Sequence, residues 1–402
     1  MNVKQKILLC HNYYTEGGGE SSVFENEVTG LTEAGHSTVR YIKENSELKD
    51  LNFFERIKVF GNGYYSRQNY KEVITTIRRE KPDIAIVQNI FPMISPSIIY
   101  ALSSQNIPIL QAVYNYRFVC PDAHLYSKGS ICERCITGNY INCVFRRCYR
   151  NSYLLSGWYS SILWIHRYFH TFSQYINAFM VPDKFLESKL VKGGIPSQKI
   201  FVNANPFFVN EYSPTANHEG YFLYLGRFIP QKGILTLLGA MRRVNKNVKL
   251  VISGMGILEG EIKAAIAREN LGSQISLIGP CWGEDAKSLI SKALAVIVPS
   301  EWYDNLPLII CQSNASGKPV IASRINGIPE YVHDNLNGFL FEPGDTKDLA
   351  DKMMKVKNLS SEMYQKISIS SRIQAEKMFD YSEHYRKLKA KMDYLTGARD
   401  YE

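Results

Sequence analysis

Arg227 and Lys232 stand on one short loop, Leu225-Gly-Arg-Phe-Ile-Pro-Gln-Lys-Gly233, just before an apolar helical pattern at Ile234–Met241. Two cations beside a helix N-terminus suit a diphosphate, because side-chain charge and free backbone N–H groups converge there. The same pair would stabilise negative charge growing on a departing diphosphate. Gly226 opens this loop. Ser253-Gly254-Met255-Gly256 follows the next apolar run, and its glycines allow close backbone approach to a ligand or simply a tight turn. A third polar loop, Pro299-Ser-Glu-Trp-Tyr-Asp304-Asn305-Leu306-Pro307, leads into a helix carrying Gln312. Asp304 can accept from sugar hydroxyls and Gln312 from a ribose, although both also suit turn and cap positions. The segment Asn326-Gly-Ile-Pro-Glu330 offers further backbone donors.

A different chemistry is offered by the cysteines. Cys132-Glu-Arg-Cys135 is followed by Cys143 and Cys148 and preceded by Cys120, a spacing compatible with structural zinc on four of five thiols. Several buried thiols around a chance CxxC fit the same residues. A redox CxxC would occupy a strand-to-helix junction, and no such context flanks this one.

These loops need elements to hold them. Apolar runs at Ile7–Cys10, Thr38–Tyr41, Ile84–Val87 and Ile109–Val113 predict strands that alternate with helical patterns. After the first comes Tyr14-Thr-Glu-Gly17-Gly18-Gly19-Glu20, with His11 placed in the same loop. Ser22 and Glu25 then form a capping-box pattern, and Phe24, Val28 and Leu31 recur at helical spacing. The triple glycine is not the GxGxxG of dinucleotide folds. A second series begins near residue 206, with strands at Phe222–Leu225, Lys249–Ile252, Ile275–Ile278, Ala295–Val298 and Pro319–Ala322. Asp345 and Asp348 mark another helix start. The expected fold class is α/β, with two Rossmann-like α/β/α domains, residues 1–205 and 206–380, facing across a cleft. Residues 381–402 are expected to form a helix that crosses back onto the first domain.

Composition bounds the reading. The 402 residues are 45% hydrophobic, enough for two cores, and carry a formal charge of +9. That excess suits an anionic ligand or membrane surface, or an ordinary solvated face; no nucleic-acid motif accompanies it. The N-terminus reads as a buried strand and not a leader, and no apolar run is long enough to span a bilayer. Eight cysteines fit a reducing, cytoplasmic setting. Tyr153–Met180 is rich in aromatics: Leu155, Trp158, Ile162, Trp164 and Tyr168 fill an interdomain core or face a membrane or acceptor.

Together these stretches closely resemble the family 4 glycosyltransferases, the retaining glycosyltransferase group 1 class of GT-B fold, over almost the whole chain. The match rests on the Gly17-Gly18-Gly19 loop, the GR…KG clamp at Gly226, Arg227 and Lys232, the Gly254/Gly256 turn, and PSEWYDN. The family's E-x7-E spacing is kept by Asp304 and Gln312, with Glu301 out of register. Tyr114, in Val113-Tyr-Asn-Tyr-Arg-Phe118, replaces a His of the family pattern, and Gln88-Asn89 lacks another. The resemblance implies a hexosyltransferase that moves sugar from a nucleotide diphosphate-sugar to a glycan or lipid-linked acceptor with retention, needing no catalytic metal. Arg227, Lys232, Asp304 and Tyr114 would do the chemistry. Gly17–Gly19, Gly226, Gly254, Gly256, Asn305, Leu306 and Gln312 would help hold the donor. Capsule, surface polysaccharide or lipopolysaccharide assembly is the implied setting, in the cytoplasm or at the inner membrane face. A weakly catalytic nucleotide-sugar-binding homologue and a glucan or sucrose-type synthase are the alternatives.

Overall fold

The computed structural model describes residues 4–14, 18–48 and 53–397; Gly17 and residues 398–402 of the expected tail lie outside them. The chain divides into two compact units, one of Met1–Lys128, Cys132–Pro206 and Tyr381–Glu402, the other of Gly129–Ile131 and Phe207–Asp380. Each is built on a six-stranded parallel sheet.

In the first unit the strands are β1 (Lys6–Tyr13), β2 (Ser37–Glu44), β3 (Ile84–Val87), β4 (Ile109–Ala112), β5 (Ala178–Val181) and β6 (Ile200–Val202). Their order is β2-β1-β3-β4-β5-β6, so the chain reverses direction across the sheet between β1 and β3. Strands covered by helices on both faces read as unbroken apolar runs, and Ile7–Cys10 and Ile84–Val87 are fully buried throughout. The second sheet holds β7 (Tyr221–Leu225), β8 (Lys249–Ser253), β9 (Ile275–Ile278), β10 (Ala295–Val298), β11 (Val320–Ser323) and β12 (Gly338–Phe341). Its order, β9-β8-β7-β10-β11-β12, places the reversal between β7 and β10. Ligands of such sheets gather outside the strand carboxyl ends at this switch point.

Two local expectations are corrected. The helix Gly19–Glu33 starts ahead of the Ser22/Glu25 box: Ser21 and Ser22 donate N–H bonds of 3.0 and 3.3 Å to the Gly18 carbonyl. Glu25 is drawn away from any capping role by Arg40, 3.2 Å distant, and by the Tyr13 hydroxyl. His11 is not in a loop. It is a fully buried residue of β1, stacked on Phe24 with ring centroids 4.6 Å apart. By contrast Asp345 caps its helix as expected, accepting from the Lys347 and Asp348 amides.

The last helix, Tyr381–Thr396, belongs to the first unit, where Leu388 and Met392 join a core with Ile7, Leu9, Phe24 and Leu110. A buried ionisable pair fastens it: His384 Nε2 lies 2.9 Å from Glu27 Oε2, and Nδ1 is 2.7 Å from the Ala204 carbonyl. Among the described residues, no helix is long and apolar enough to cross a membrane.

Candidate functional site

In the second unit, the loops after β7 and β10 flank the switch point, and they carry the predicted clamp. Gly226–Gly233 leaves β7, forms a single helical turn at Pro230–Lys232 and enters the helix Ile234–Met241. Gly233 is held at φ 66°, and a Cβ there would lie 1.7 Å from the Pro299 carbonyl oxygen. Only glycine lets the two loops approach this closely. The Glu301 amide donates to the Gln231 carbonyl at 2.8 Å, completing the join.

Lys232 reaches across it to pair with Asp304, whose Oδ2 also accepts from Ser300 Oγ at 2.9 Å. The Lys232 ammonium stands 5.9 Å from the centre of the Trp302 ring. Asn326 donates to the Asp304 carbonyl at 2.6 Å, tying the Asn326–Glu330 segment to the same loop. Arg227 is exposed and makes no ion pair among the described residues. Leu306 is buried with φ 24°, a strained turn that carries Asn305 into the start of the helix Leu308–Ala315. The structure therefore gathers Gly226, Arg227, Lys232, Asp304, Asn305 and Leu306 at one end of one sheet.

The Gly254/Gly256 turn is part of the same surface. Gly226 N–H bonds the Ser253 carbonyl at 3.0 Å, and Phe228 N–H bonds Met255 O at 2.7 Å. Gly254, at φ 153°, faces the Gly226 carbonyl, where a Cβ would come within 1.9 Å. Gln312, on the helix Leu308–Ala315, hydrogen-bonds the Tyr212 hydroxyl, whose pKa burial pushes up. Two features escaped sequence reasoning. The Glu301 carboxylate, out of register for the family motif, accepts from Thr236 in the first turn of Ile234–Met241, where an anion is favoured. Met255, Ile257 and Trp282 are exposed apolar side chains on loops after β8 and β9, which Ser253 Oγ links through a 2.9 Å bond to Gly279 O.

The first unit presents a second polar group at its own switch point. Asn12 and Asn89 lock the ends of β1 and β3 through Asn12 N–H to Asn89 O and Asn89 Nδ2 to Asn12 O, both 2.8 Å. Around them Glu20, Gln88, Gln111, Tyr114, Asn115 and Arg117 line a cavity of about 20 Å³. Asn115 Nδ2 donates to Glu20 at 2.8 Å. Burial pushes the Glu20 carboxyl above the usual carboxylate range, against the opposing pull of Asn115 and the Arg117 charge. Burial also holds the Tyr114 hydroxyl well above its ordinary value, helped by the charges of Glu27 and Glu20, so it stays protonated. The buried Gln88 amide makes no hydrogen bond among the described residues. Of the glycine loop, Gly18 and Gly19 open the helix that carries Glu20, and Gly17 lies outside the described residues. No spacing rule announces Glu20 or Gln88, one in the first turn of the helix Gly19–Glu33 and the other just past the end of β3.

The cysteines form no ready ligand set: among the described residues, no group of three or more His, Cys, Asp or Glu is placed to hold a metal ion. Cys120, Cys135 and Cys143 are buried, and Cys132 and Cys148 partly so. Cys148 is engaged instead with Ser127 Oγ at 3.3 Å and with the Cys143 thiol.

With this geometry established, comparison adds a match to part of the chain. Residues 211–374 match the model for glycosyl transferases group 1. That match lies within the second unit, Phe207–Asp380. An uncharacterized glycosyltransferase of Methanocaldococcus jannaschii is 34% identical over 136 residues, covering 34% of this chain and 38% of its own. The amylovoran biosynthesis glycosyltransferase AmsK of Erwinia amylovora is 26% identical over 53% of this chain and 55% of its own length. The chain thus spans about a third to a half of these curated relatives. Over 97% of this chain and all of the other, the Anabaena protein Alr3699/HepE, solved in complex with UDP, superimposes with a TM-score of 0.70 at 14% identity. That likeness establishes the GT-B fold.

Proposed function

We propose that this chain transfers a sugar, with retention at the anomeric carbon, from a nucleotide diphosphate-sugar to a glycan or lipid-linked acceptor. The observation that carries the reading is the Arg227/Lys232 loop, set at the switch point beside a helix N-terminus and joined to Asp304. Arg227 offers a planar fork with no competing carboxylate, and Lys232 keeps two protons beyond the one given to Asp304. Both would grip the diphosphate, and Asp304 Oδ1 would accept from a sugar hydroxyl. Gln312 is assigned to the nucleoside, Asn305 and Tyr114 to the sugar with Asp304, and the other polar strand ends of the first unit to the acceptor.

In the reaction the bond between the anomeric carbon and the diphosphate oxygen breaks, and the acceptor oxygen bonds that carbon on the same face. The acceptor proton passes to the departing diphosphate, so a glycoside and a nucleoside diphosphate result. Charge develops on the leaving group, where Arg227 and Lys232 stand. No metal is assigned to this step. The UDP bound by the Anabaena protein supports a uridine nucleotide donor, and the Erwinia relative's name a biosynthetic role; surface polysaccharide, capsule or lipopolysaccharide assembly in the cytoplasm is the setting proposed.

The test is mass-spectrometric detection of transfer from a mixed nucleotide-sugar pool to membrane-lipid and soluble glycan extracts. A new product mass should appear with the wild type. Two charge-assisted contacts at roughly 1.5–3 kcal/mol each put the loss for Arg227→Ala/Lys232→Ala at about a thousandfold. Equal donor affinity and turnover in that variant would remove the clamp assignment. Nucleotide-sugar binding that depends on both residues, without transfer to any acceptor, would establish the weakly catalytic alternative instead.

A further inference from the structure

The helix Tyr153–Tyr168 is amphipathic the wrong way round for a water-facing element. At about 100° per residue, Tyr153, Leu154, Gly157, Ser161, Trp164 and Tyr168 share one arc. Ser156, Tyr159, Ile162, Leu163 and His166 occupy the opposite, buried one. The outward arc is therefore the aromatic one. Tyr153, Leu154, Trp164 and Tyr168 are each more than half exposed, as are Phe169 at the helix end and Phe145 on the preceding helix Ile141–Arg146. The expectation that Trp164 and Tyr168 fill a core is thereby corrected; Ile162 alone of that group is fully buried. Trp164 and Tyr168 stack with centroids 5.6 Å apart, which makes a flat apolar platform about 24 Å long with the rest of the helix.

Charge decides what covers it. Between Glu133 and Asp183 there is no Asp or Glu, while Arg134, Arg146, Arg147, Arg150 and Arg167 fall in that stretch. Glu133, the acid at its edge, is itself neutralised by Lys189 and Lys192. Arg147 and Arg150 are exposed; Arg147 lies over the Tyr153 ring at 5.2 Å, placing its cation on the rim of the apolar arc. Arg146 and Arg167 turn inward, to Ser127 and the Gly193 carbonyl. A second copy packed parallel on this face would set the uncompensated arginines against each other, and one packed antiparallel would meet them with a stretch that holds no acid. Exposed aromatic rings with free arginines at the Tyr153 end match instead the headgroup zone of a bilayer with anionic lipid.

We infer that Tyr153–Tyr168 lies in the plane of an anionic membrane surface, with Leu154, Trp164 and Tyr168 inserted at headgroup depth and Arg147 and Arg150 on lipid phosphates. The helix docks without spanning. This holds whether or not the chain transfers a sugar, so its failure and that of the transferase reading are separable.

The experiment is flotation of the purified full chain with phosphatidylcholine vesicles, with and without phosphatidylglycerol. Binding should require the anionic lipid and weaken with salt. Arg147→Ala/Arg150→Ala should bind about 25-fold more weakly at low salt, about fivefold per cation. Leu154→Ser/Trp164→Ser/Tyr168→Ser should abolish flotation while the melting temperature stays at the wild-type value, because those side chains are exposed. If the triple variant fails to fold, Trp164→Tyr serves: it should lose most of the tryptophan quenching that brominated lipid produces in the wild type. No flotation with anionic vesicles, unchanged quenching, or variants that bind as the wild type does would overturn the inference. So would a concentration-dependent dimer lost in the triple variant, which would assign the face to a second copy.

Discussion

In the second unit the polar side chains at the switch point are paired with one another, with Lys232 reaching the buried Asp304 while Arg227 stands in solvent. In the first unit the corresponding strand ends bury their polar groups: His11 and Gln88 are enclosed, and Glu20 is desolvated. The two sheets are alike, so the difference lies in what surrounds the strand ends. An exposed polar loop can be altered with little effect on folding. A buried polar group is either satisfied from within or a continuing drain on stability. Substitutions should therefore act chiefly on function in the second unit and chiefly on folding in the first.

The sharpest contrast is expected at the buried Glu27–His384 pair. His384→Ala leaves Glu27 enclosed without its partner, and removing one member of such a pair costs about 3–5 kcal/mol. Urea denaturation should show that loss. Amide exchange should rise in peptides of Tyr381–Thr396, whereas peptides of the second unit and nucleotide binding there stay unchanged. Equal protection in the variant would show that Leu388 and Met392 packing, with the Gln5–Thr396 and His36–Tyr385 hydrogen bonds, holds the helix without the pair.

Asp304→Ala should do the reverse. It frees Lys232 and removes an acceptor proposed for the sugar, so kcat/KM should fall on the order of 100-fold, about 2.7 kcal/mol. The melting temperature should fall less than in His384→Ala: Lys232 can turn to solvent, and the cost left is the buried Ser300 hydroxyl without its acceptor. A large drop in stability with unchanged kcat/KM would make Asp304 a loop brace and break the comparison.

The same contrast governs what could be read in the sequence. Arg227 and Lys232 share one short loop and Asp304 stands on another, each after an apolar strand, and the family resemblance joined them; Gly233 and Gly254 prove to sit where a Cβ has no room. The strands were visible because both faces are covered, which leaves continuous apolar runs. That same continuity hid His11: a fully buried strand has no alternation to say where it stops, and a histidine looked like the loop's first polar residue. The Ser22/Glu25 box failed because the Gly18 carbonyl offered an earlier first turn, and Arg40, distant in sequence, claimed Glu25. Glu20, Gln88 and Asn115 meet only through the sheet order. Aromatic content marked Tyr153–Met180, but only the helix geometry shows which rings face outward.

His11 supplies the finest test of the comparison. Neither ring nitrogen has a hydrogen-bond partner among the described residues, and burial pushes its pKa down from 6.5 to about 4. Between those values the unfolded chain binds a proton that the folded chain refuses, so stability is lost as pH falls through 6.5 towards 4. The loss from this residue comes to about 2 kcal/mol at pH 5. His36, His166 and His218 are shifted downward by burial as well, so the wild type should lose more than this single share. His11→Phe keeps an aromatic ring against Phe24 and removes the titrating group. Urea midpoints at pH 7 and pH 5 should therefore lie closer together in His11→Phe than in the wild type. An identical separation in both proteins would mean that the strand end admits a proton on His11 without loss of stability, and the buried polar ends of the first unit would then be no more sensitive than the open loops of the second.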